Sequence, residues 1–287
     1  MNGADPGGDV GSGPRVALAL GGGSARGLAH IAMLEAFDEL GVQPAFIAGT
    51  SMGAICGAAY AAGLPARDVR LEFTTLLANR MRFFKDLAVK LRGNLSSLWS
   101  LRHPGVVDNV TLFEMLMPEV MRRDFDTLRI PFAAIAADFY ANEQVVLDRG
   151  PLIPALAASA SLPNLARPVV IDGRVLIDGG YVNPLPFDVA MQHGDVVVAV
   201  DVTGSNHPKP GATMPTAFEL ANGATQLLFH AVTREKLKHM QPDILIRPDV
   251  GSFTSMDYFK MSDILARAQP AKDELKRQLA QKLAALA

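Results

Sequence analysis

The feature that most restricts what this chain can become lies in its first sixty residues, where short aliphatic runs, glycine-rich turns and helices alternate twice. Arg15 to Leu20 is β-branched and aliphatic and ends in Gly21-Gly22-Gly23, a pattern that predicts a buried strand meeting a tight turn. Leu28, Ile31, Leu34, Ala36 and Leu40 then recur at helical spacing and stop at Gly41, a plausible helix C-terminal cap. Pro44 to Ala48 reads as a second strand, followed by Gly49-Thr50-Ser51-Met52-Gly53 and another small-residue helix ending near Gly63. Strand, turn, helix, strand, turn, helix is the order that builds a parallel α/β sheet.

The next stretch changes character. Between about Pro65 and Met121 no clear strand is visible, and helical patterns carry Phe73, Phe83, Phe84, Leu87, Leu91, Leu95, Leu98, Trp99 and Leu101 among basic residues. This reads as a helical, cap-like insertion at about 65–121. Strand-like runs resume at Phe132 to Ala137 and Gln144 to Leu147, and Pro151 to Ala160 looks helical. Val169 to Ile171 and Val175 to Ile177 flank Asp172-Gly173, which predicts a hairpin. A short helix at Pro186 to His193 and a buried strand at Asp195 to Val202 follow. Thr203 to Pro215 is rich in Pro and Gly and reads as a mobile loop. Helical patterns at Ala217 to Met240 and Met261 to Ala284 enclose a strand at Asp243 to Arg247. With no internal repeat and no compositional break, we expect residues 15–287 to form one domain, and residues 1–14 a flexible tail without a targeting segment.

Composition removes several function classes. The 287 residues are 49% hydrophobic with a formal net charge of −2, so nothing suggests a surface built for nucleic acid. The single cysteine, Cys56, excludes an intramolecular disulfide and sits in an apolar run, where a buried packing role is the simpler expectation. The longest apolar stretches, such as Val196 to Val200, fall far short of the roughly 20 residues of a membrane span. A cytoplasmic protein is expected, at most peripheral to the inner face of the membrane.

Gly49-Thr50-Ser51-Met52-Gly53 fits G-x-S-x-G, the elbow that presents a nucleophilic serine between a strand and a helix. Gly49 and Gly53 would let strand and helix approach, and the helix N-terminus would favour negative charge developing near Ser51. The pattern is also compatible with a tight turn that does no chemistry. Gly21 to Gly27 departs from the dinucleotide fingerprint: the sixth position from Gly21 is Arg26, and no carboxylate lies about twenty residues on. No Gly-Lys-Ser/Thr is present to make it a phosphate loop. Backbone N–H groups of Gly22, Gly23 and Ser24 could instead converge on an oxyanion, since neighbouring strands lie about 4.8 Å apart. Arg26 could steady this turn, attract an anionic head group, or pair with a surface carboxylate.

A serine needs a base. Asp178, in Ile177-Asp178-Gly179-Gly180, ends a hydrophobic run, where it could be an exposed base or a turn-forming Asp-Gly. None of His30, His103, His193, His207, His230 and His239 falls in a loop directly after a strand, so each reads as a packing or surface residue.

Taken together, Gly-Gly-Gly-Ser-Ala-Arg-Gly, Gly-Thr-Ser-Met-Gly-Ala, Ser-Ala-Ser-Leu-Pro and Asp-Gly-Gly-Tyr-Val-Asn-Pro-Leu-Pro resemble the patatin-like phospholipases over about Arg15 to Val202. The likeness is strongest to small bacterial members and to the catalytic domain of neuropathy target esterase. The resemblance implies a three-layer α/β/α fold with a mainly parallel central sheet. It implies a Ser51–Asp178 dyad without a catalytic histidine, and an oxyanion hole in the glycine turn, with Arg26, Gly27, Gly49, Gly53, Gly179 and Gly180 as supporting positions. It implies hydrolysis of acyl lipids through an acyl-enzyme, with no metal or cofactor in the chemistry. Leu162 to Pro168 departs from the aromatic-flanked version common in the family, so acyl-chain preference does not carry over.

Three expectations stand beside one another: this lipid acyl hydrolase, an α/β-hydrolase triad that recruits one of the later histidines, and a silent lipid-binding protein that kept the elbow. Met81 to Leu101 mixes aromatic and basic residues and reads either as a helix packed on the sheet or as an amphipathic lid on an anionic lipid surface.

Overall fold

The computed structural model describes residues 13–91, 108–163, 165–204 and 214–287, with side chains from 79 to 91 and at 217–218 left aside. Eight strands form one sheet: β1 (Val16–Leu20), β2 (Phe46–Thr50), β3 (Phe132–Asp138), β4 (Glu143–Leu147), β5 (Val169–Ile171), β6 (Arg174–Asp178), β7 (Val196–Val200) and β8 (Ile244–Ile246). The helices are α1 (His30–Leu40), α2 (Met52–Ala61), α3 (Ala66–Leu91), α4 (Asn109–Leu116), α5 (Leu152–Ser159), α6 (Phe187–Ala190), α7 (Ala217–His239) and α8 (Met261–Ala284).

The strand order is β5-β6-β3-β2-β1-β7-β8, with β4 also paired to β3. β3, β2, β1, β7 and β8 run parallel, whereas β4 and β6 lie antiparallel to β3, and β5 to β6. The strands β1 and β7 are apolar throughout because both faces are covered. Val16, Leu18 and Leu20 of β1, with Val196, Val198 and Val200 of β7, pack into the larger core with α1, α2, α5 and α8. Ala17, Ala19 and Ala48 point the other way, onto Leu185, Phe187 and Ala190 around α6 and Leu237 of α7. The result is a three-layer α/β/α sandwich around a mainly parallel sheet.

Local signals place most element ends. Gly41 closes α1 with φ 65°, a conformation glycine adopts without strain. Asp172 and Gly173 turn the β5–β6 hairpin with φ of 50° and 77°, the left-handed pair of a tight two-residue turn. Thr216 and Glu219 form a capping box on α7. The second strand is shifted from expectation: it starts at Phe46 and runs to Thr50, because parallel pairing to β1 and β3 holds the backbone as far as the elbow. The described parts of 65–121 are helical, as α3 and α4. The lid expectation for Met81 to Leu101 falls outside the described side chains, and beyond residue 91 outside the described chain. No helix among the described residues is long and apolar enough to cross a membrane.

Candidate active site

The strand register brings the predicted nucleophile and base together. Thr50, the last residue of β2, is paired with Ile135 of β3, and Asp178, the last residue of β6, is paired with Ala136. Ile135 and Ala136 are each paired on their other side to β4, through Val146 and Val145. Therefore β2 and β6 occupy the same edge of β3, one after the other. Since β2 runs parallel to β3 and β6 antiparallel, their C-terminal ends meet head-on. Ser51 and Asp178 belong to that junction.

Ser51 sits between β2 and α2 with φ 54° and ψ −121°, a left-handed conformation that is costly for a residue bearing a Cβ. Its neighbours hold it there. A Cβ on Gly49 would lie 2.5 Å from Ala54 Cα, and one on Gly53 would lie 2.2 Å from the Leu20 carbonyl oxygen. Only glycine lets strand and helix approach this closely. The Ser51 amide donates to Ser159 Oγ at 2.9 Å, and the Thr50 hydroxyl donates to the Asn183 carbonyl at 2.8 Å. Asn183 in turn is held by Gln144, Asp188 and Lys236.

Asp178 is 2% exposed. Its Oδ1 accepts from the Gly180 amide at 2.8 Å, and the Ser51 hydroxyl lies near enough to the carboxylate to favour its charged form. Burial pushes the carboxyl up to about 6, against the lowering effect of the Ser51 hydroxyl and the Gly180 amide. It is thus a stronger base than a solvated aspartate, with its reference near about 3.9. Gly179 faces the β3 backbone and Gly180 the ring of Phe229, and a Cβ on either would lie within 2.4 Å of those atoms.

The glycine turn lies beside this pair, as expected from the β1–β2 pairing. Gly22, Gly23, Ser24, Ser51, Asp178 and Phe229 help to line one cleft, with Arg26, Leu162 and Thr203 at its walls. One donor differs from expectation. The Gly22 amide donates to the Pro184 carbonyl at 2.9 Å, so it is already engaged. Among the described residues the Gly23 and Ser24 amides donate to no backbone acceptor. Ser24, like Ser51, is held at positive φ, 50°. A Cβ on Gly23 would meet Val202 at 2.7 Å, and one on Gly27 would meet Met52 at 2.4 Å.

Arg26 is not on the surface. It is 3% exposed, donates to the Phe253 carbonyl at 2.9 Å, and its Nε has no hydrogen-bond partner among the described residues. Burial lowers it to about 10, which leaves it charged near neutrality. The guanidinium therefore fastens the glycine turn to the 253 segment at the cleft wall.

None of the four described histidines lines the cleft. His30 is fully buried and neutral, since burial pushes it down to about 4. Its Nε2–H donates to the Gly21 carbonyl at 2.7 Å, a tautomer fixed by an acceptor-only partner. His193 stacks on Phe46, His239 pairs with Glu235 at the surface, and His230 is exposed on α7. His103 and His207 lie outside the described residues. No cluster of three or more His, Cys, Asp or Glu that could hold a metal occurs among the described residues.

Residue-by-residue reading of the sequence assigned nothing to Thr50, Ser159 or Asn183. Both Ser159 and Asn183 stood inside quoted motifs, Ser-Ala-Ser-Leu-Pro and the Asp-Gly-Gly-Tyr-Val-Asn segment, and that was the available signal.

A three-layer α/β/α sandwich carrying a strained serine on a strand-to-helix elbow, in one cleft with a buried aspartate, has the layout of a serine ester hydrolase. Residues 18–191 match the family described as patatin-like phospholipase. The chain belongs to the patatin-like phospholipase family, a family of carboxylic ester hydrolases. It is 38% identical over 195 residues to an uncharacterized NTE family protein of Mycobacterium tuberculosis, spanning 68% of this chain and 51% of that protein. It is 29% identical over 281 residues to the patatin-like phospholipase domain-containing protein 7 of Mus musculus, spanning 88% of this chain and 20% of that protein. The chain thus spans about half the length of the first relative and a fifth of the second. VipD from Legionella pneumophila aligns over 93% of this chain and 67% of its own, with a TM-score of 0.49 and 12% identity.

Proposed function

We propose that this chain hydrolyses carboxylic esters of acyl lipids, of phospholipase A, lysophospholipase or carboxylesterase type, with Ser51 as nucleophile and Asp178 as base. The observation that carries this reading is a serine held at φ 54° in the same cleft as a carboxylate that burial has made more basic. As Ser51 Oγ attacks the ester carbonyl, Asp178 accepts its proton. The negative charge that develops on the former carbonyl oxygen is met by the Gly23 and Ser24 amides and by the N-terminal end of α2. Collapse of this intermediate expels the alcohol or lysolipid, which takes the proton back from Asp178. The acyl group is left on Ser51. Water then attacks it and Asp178 accepts the water proton; as the bond to Ser51 Oγ breaks and the fatty acid leaves, Asp178 returns that proton to Oγ, which restores both residues. Apart from the ester and the water, every group in this cycle belongs to the chain, and neither a metal nor a cofactor enters it. The family and the apolar walls that Leu162 and Phe229 contribute to the cleft support this substrate class.

The test is direct. A fluorophosphonate probe should label the wild-type chain and not Ser51→Ala. A panel of p-nitrophenyl esters, lysophospholipids and phospholipids should show turnover that both Ser51→Ala and Asp178→Asn abolish. Labelling that persists in Ser51→Ala, or turnover that depends on His193, His207, His230 or His239, would overturn the proposal.

A further inference from the structure

The Ser-Ala-Ser-Leu-Pro motif has no part in the cycle above, yet its two serines reach both of the residues that do. Ser159, the last residue of α5 and fully buried, accepts the Ser51 amide on its Oγ at 2.9 Å. Two residues on, the Ser161 carbonyl accepts the Asp178 amide at 3.0 Å. One helical turn thus grips the backbone of the nucleophile with one hand and the backbone of the base with the other. The turn itself is locked. Ser161 Oγ donates to the Ala157 carbonyl at 2.7 Å, and Asn109 of α4 donates to that carbonyl at 2.7 Å and to Ser161 Oγ at 3.0 Å. Asn109 and Ser161 are both buried.

We infer that Ser159 is a positioning residue for the nucleophile, and that the α5 C-terminal turn is the brace that sets the Ser51–Asp178 separation. The need is physical. β2 and β6 share no ladder with each other; each is aligned only through β3. A strained residue at φ 54° relaxes unless the surrounding contacts over-determine it. A buried amide stripped of its acceptor is unfavourable, so the Ser159 hydroxyl opposes relaxation of the very residue that reacts. The two grips differ in kind. Any residue at 161 supplies a carbonyl, whereas the acceptor for Ser51 at 159 is the side chain itself. The side-chain dependence therefore falls on Ser159.

This inference rests on the hydrolase reading for its kinetic arm and not for its structural arm. In Ser159→Ala, kcat on a p-nitrophenyl ester should fall tenfold or more with KM within twofold of wild type. The rate of fluorophosphonate labelling should fall in parallel, and hydrogen–deuterium exchange at the Ser51 amide should quicken. Ser159→Cys, which keeps a weaker acceptor in place, should fall between the two. Turnover of Ser159→Ala within threefold of wild type overturns the inference, as does a loss expressed in KM. If the wild-type chain turns over no ester, the hydrolase reading fails alone. The exchange experiment then decides, and unchanged protection of the Ser51 amide in Ser159→Ala overturns the brace.

Discussion

A Cβ placed on Gly179 would lie 2.2 Å from the carbonyl oxygen of Ile135. Ile135 is the residue at which β2 stops on β3 and next to which β6 arrives, so Gly179 fills the seam where the two strand ends meet. A methyl group there would have to push the Asp178 turn off β3. Gly179→Ala should destabilise the fold by about 1–3 kcal/mol, the range for forced overpacking, and should reduce ester turnover by displacing Asp178. Gly22 provides the contrast, because its Cβ would make ordinary contacts of 3.5 Å with Ser51 and Thr50 side chains. Gly22→Ala should fold with stability changed by less than about 1 kcal/mol. Urea midpoints of the two variants check the difference.

The buried carboxyl of Asp178 gives a pH signature with a definite sign. Its ordinary value of 3.8 is raised to about 6 in the folded chain. Between these values the folded protein keeps a proton that the unfolded chain has released. The contribution to stability is therefore complete below about 3.8 and is lost as pH rises through about 6. Asp178→Asn should abolish that dependence, and above pH 6 it should be more stable than wild type by a few kcal/mol while losing turnover. The kcat/KM of wild type should rise with pH on a limb centred near 6. Denaturant titrations across pH 4 to 8 and a pH–rate profile test both halves, and a flat wild-type profile would contradict them.

Cys56 is fully buried in α2, and burial pushes its thiol far above the usual range. The folded protein should not react with a thiol reagent such as 5,5′-dithiobis(2-nitrobenzoate), because the thiolate is both inaccessible and scarcely formed. In urea the single thiol should react fully. The chain thus carries one internal reporter of α2 unpacking, and rapid labelling of the native state would show that α2 opens locally.

Lys236 of α7 reaches across to the loop after Asp178. It donates to Asn183 Oδ1 at 2.6 Å and to the Leu185 carbonyl at 2.9 Å, and it pairs with Asp188. Asn183 also receives the Thr50 hydroxyl on its carbonyl, so the ammonium steadies the loop that anchors the residue before Ser51. Lys236→Met would leave two acceptors, Asn183 Oδ1 and the Leu185 carbonyl, without this donor, and a half-buried carboxylate with only its bond from Asn183. We expect a loss of roughly 2–3 kcal/mol, seen as a lower urea midpoint with an unchanged slope. Turnover should fall as well.

The amino-acid sequence by itself determined the elements, their chemistry at the turns, and which residues are equipped to react. Gly41, Asp172-Gly173 and the Gly49–Gly53 elbow could be read in place because their backbone conformations depend on the residues that stand there. The apolar runs of β1 and β7 announced strands covered on both faces for the same local reason. Tertiary structure decided which distant parts meet. That β6 enters antiparallel and stops head-on against β2 is a property of β3, whose two edges accept three partners, and no local pattern encodes a register between residues 50 and 178. The same holds for the Gly22 amide, taken by Pro184, for Arg26, drawn into the interior by Phe253, and for Ser159, whose hydroxyl finds an amide 108 residues away. Backbone angles and periodicity act over a few residues, whereas a hydrogen bond across the fold exists only after the sheet has ordered the strands that carry its two ends.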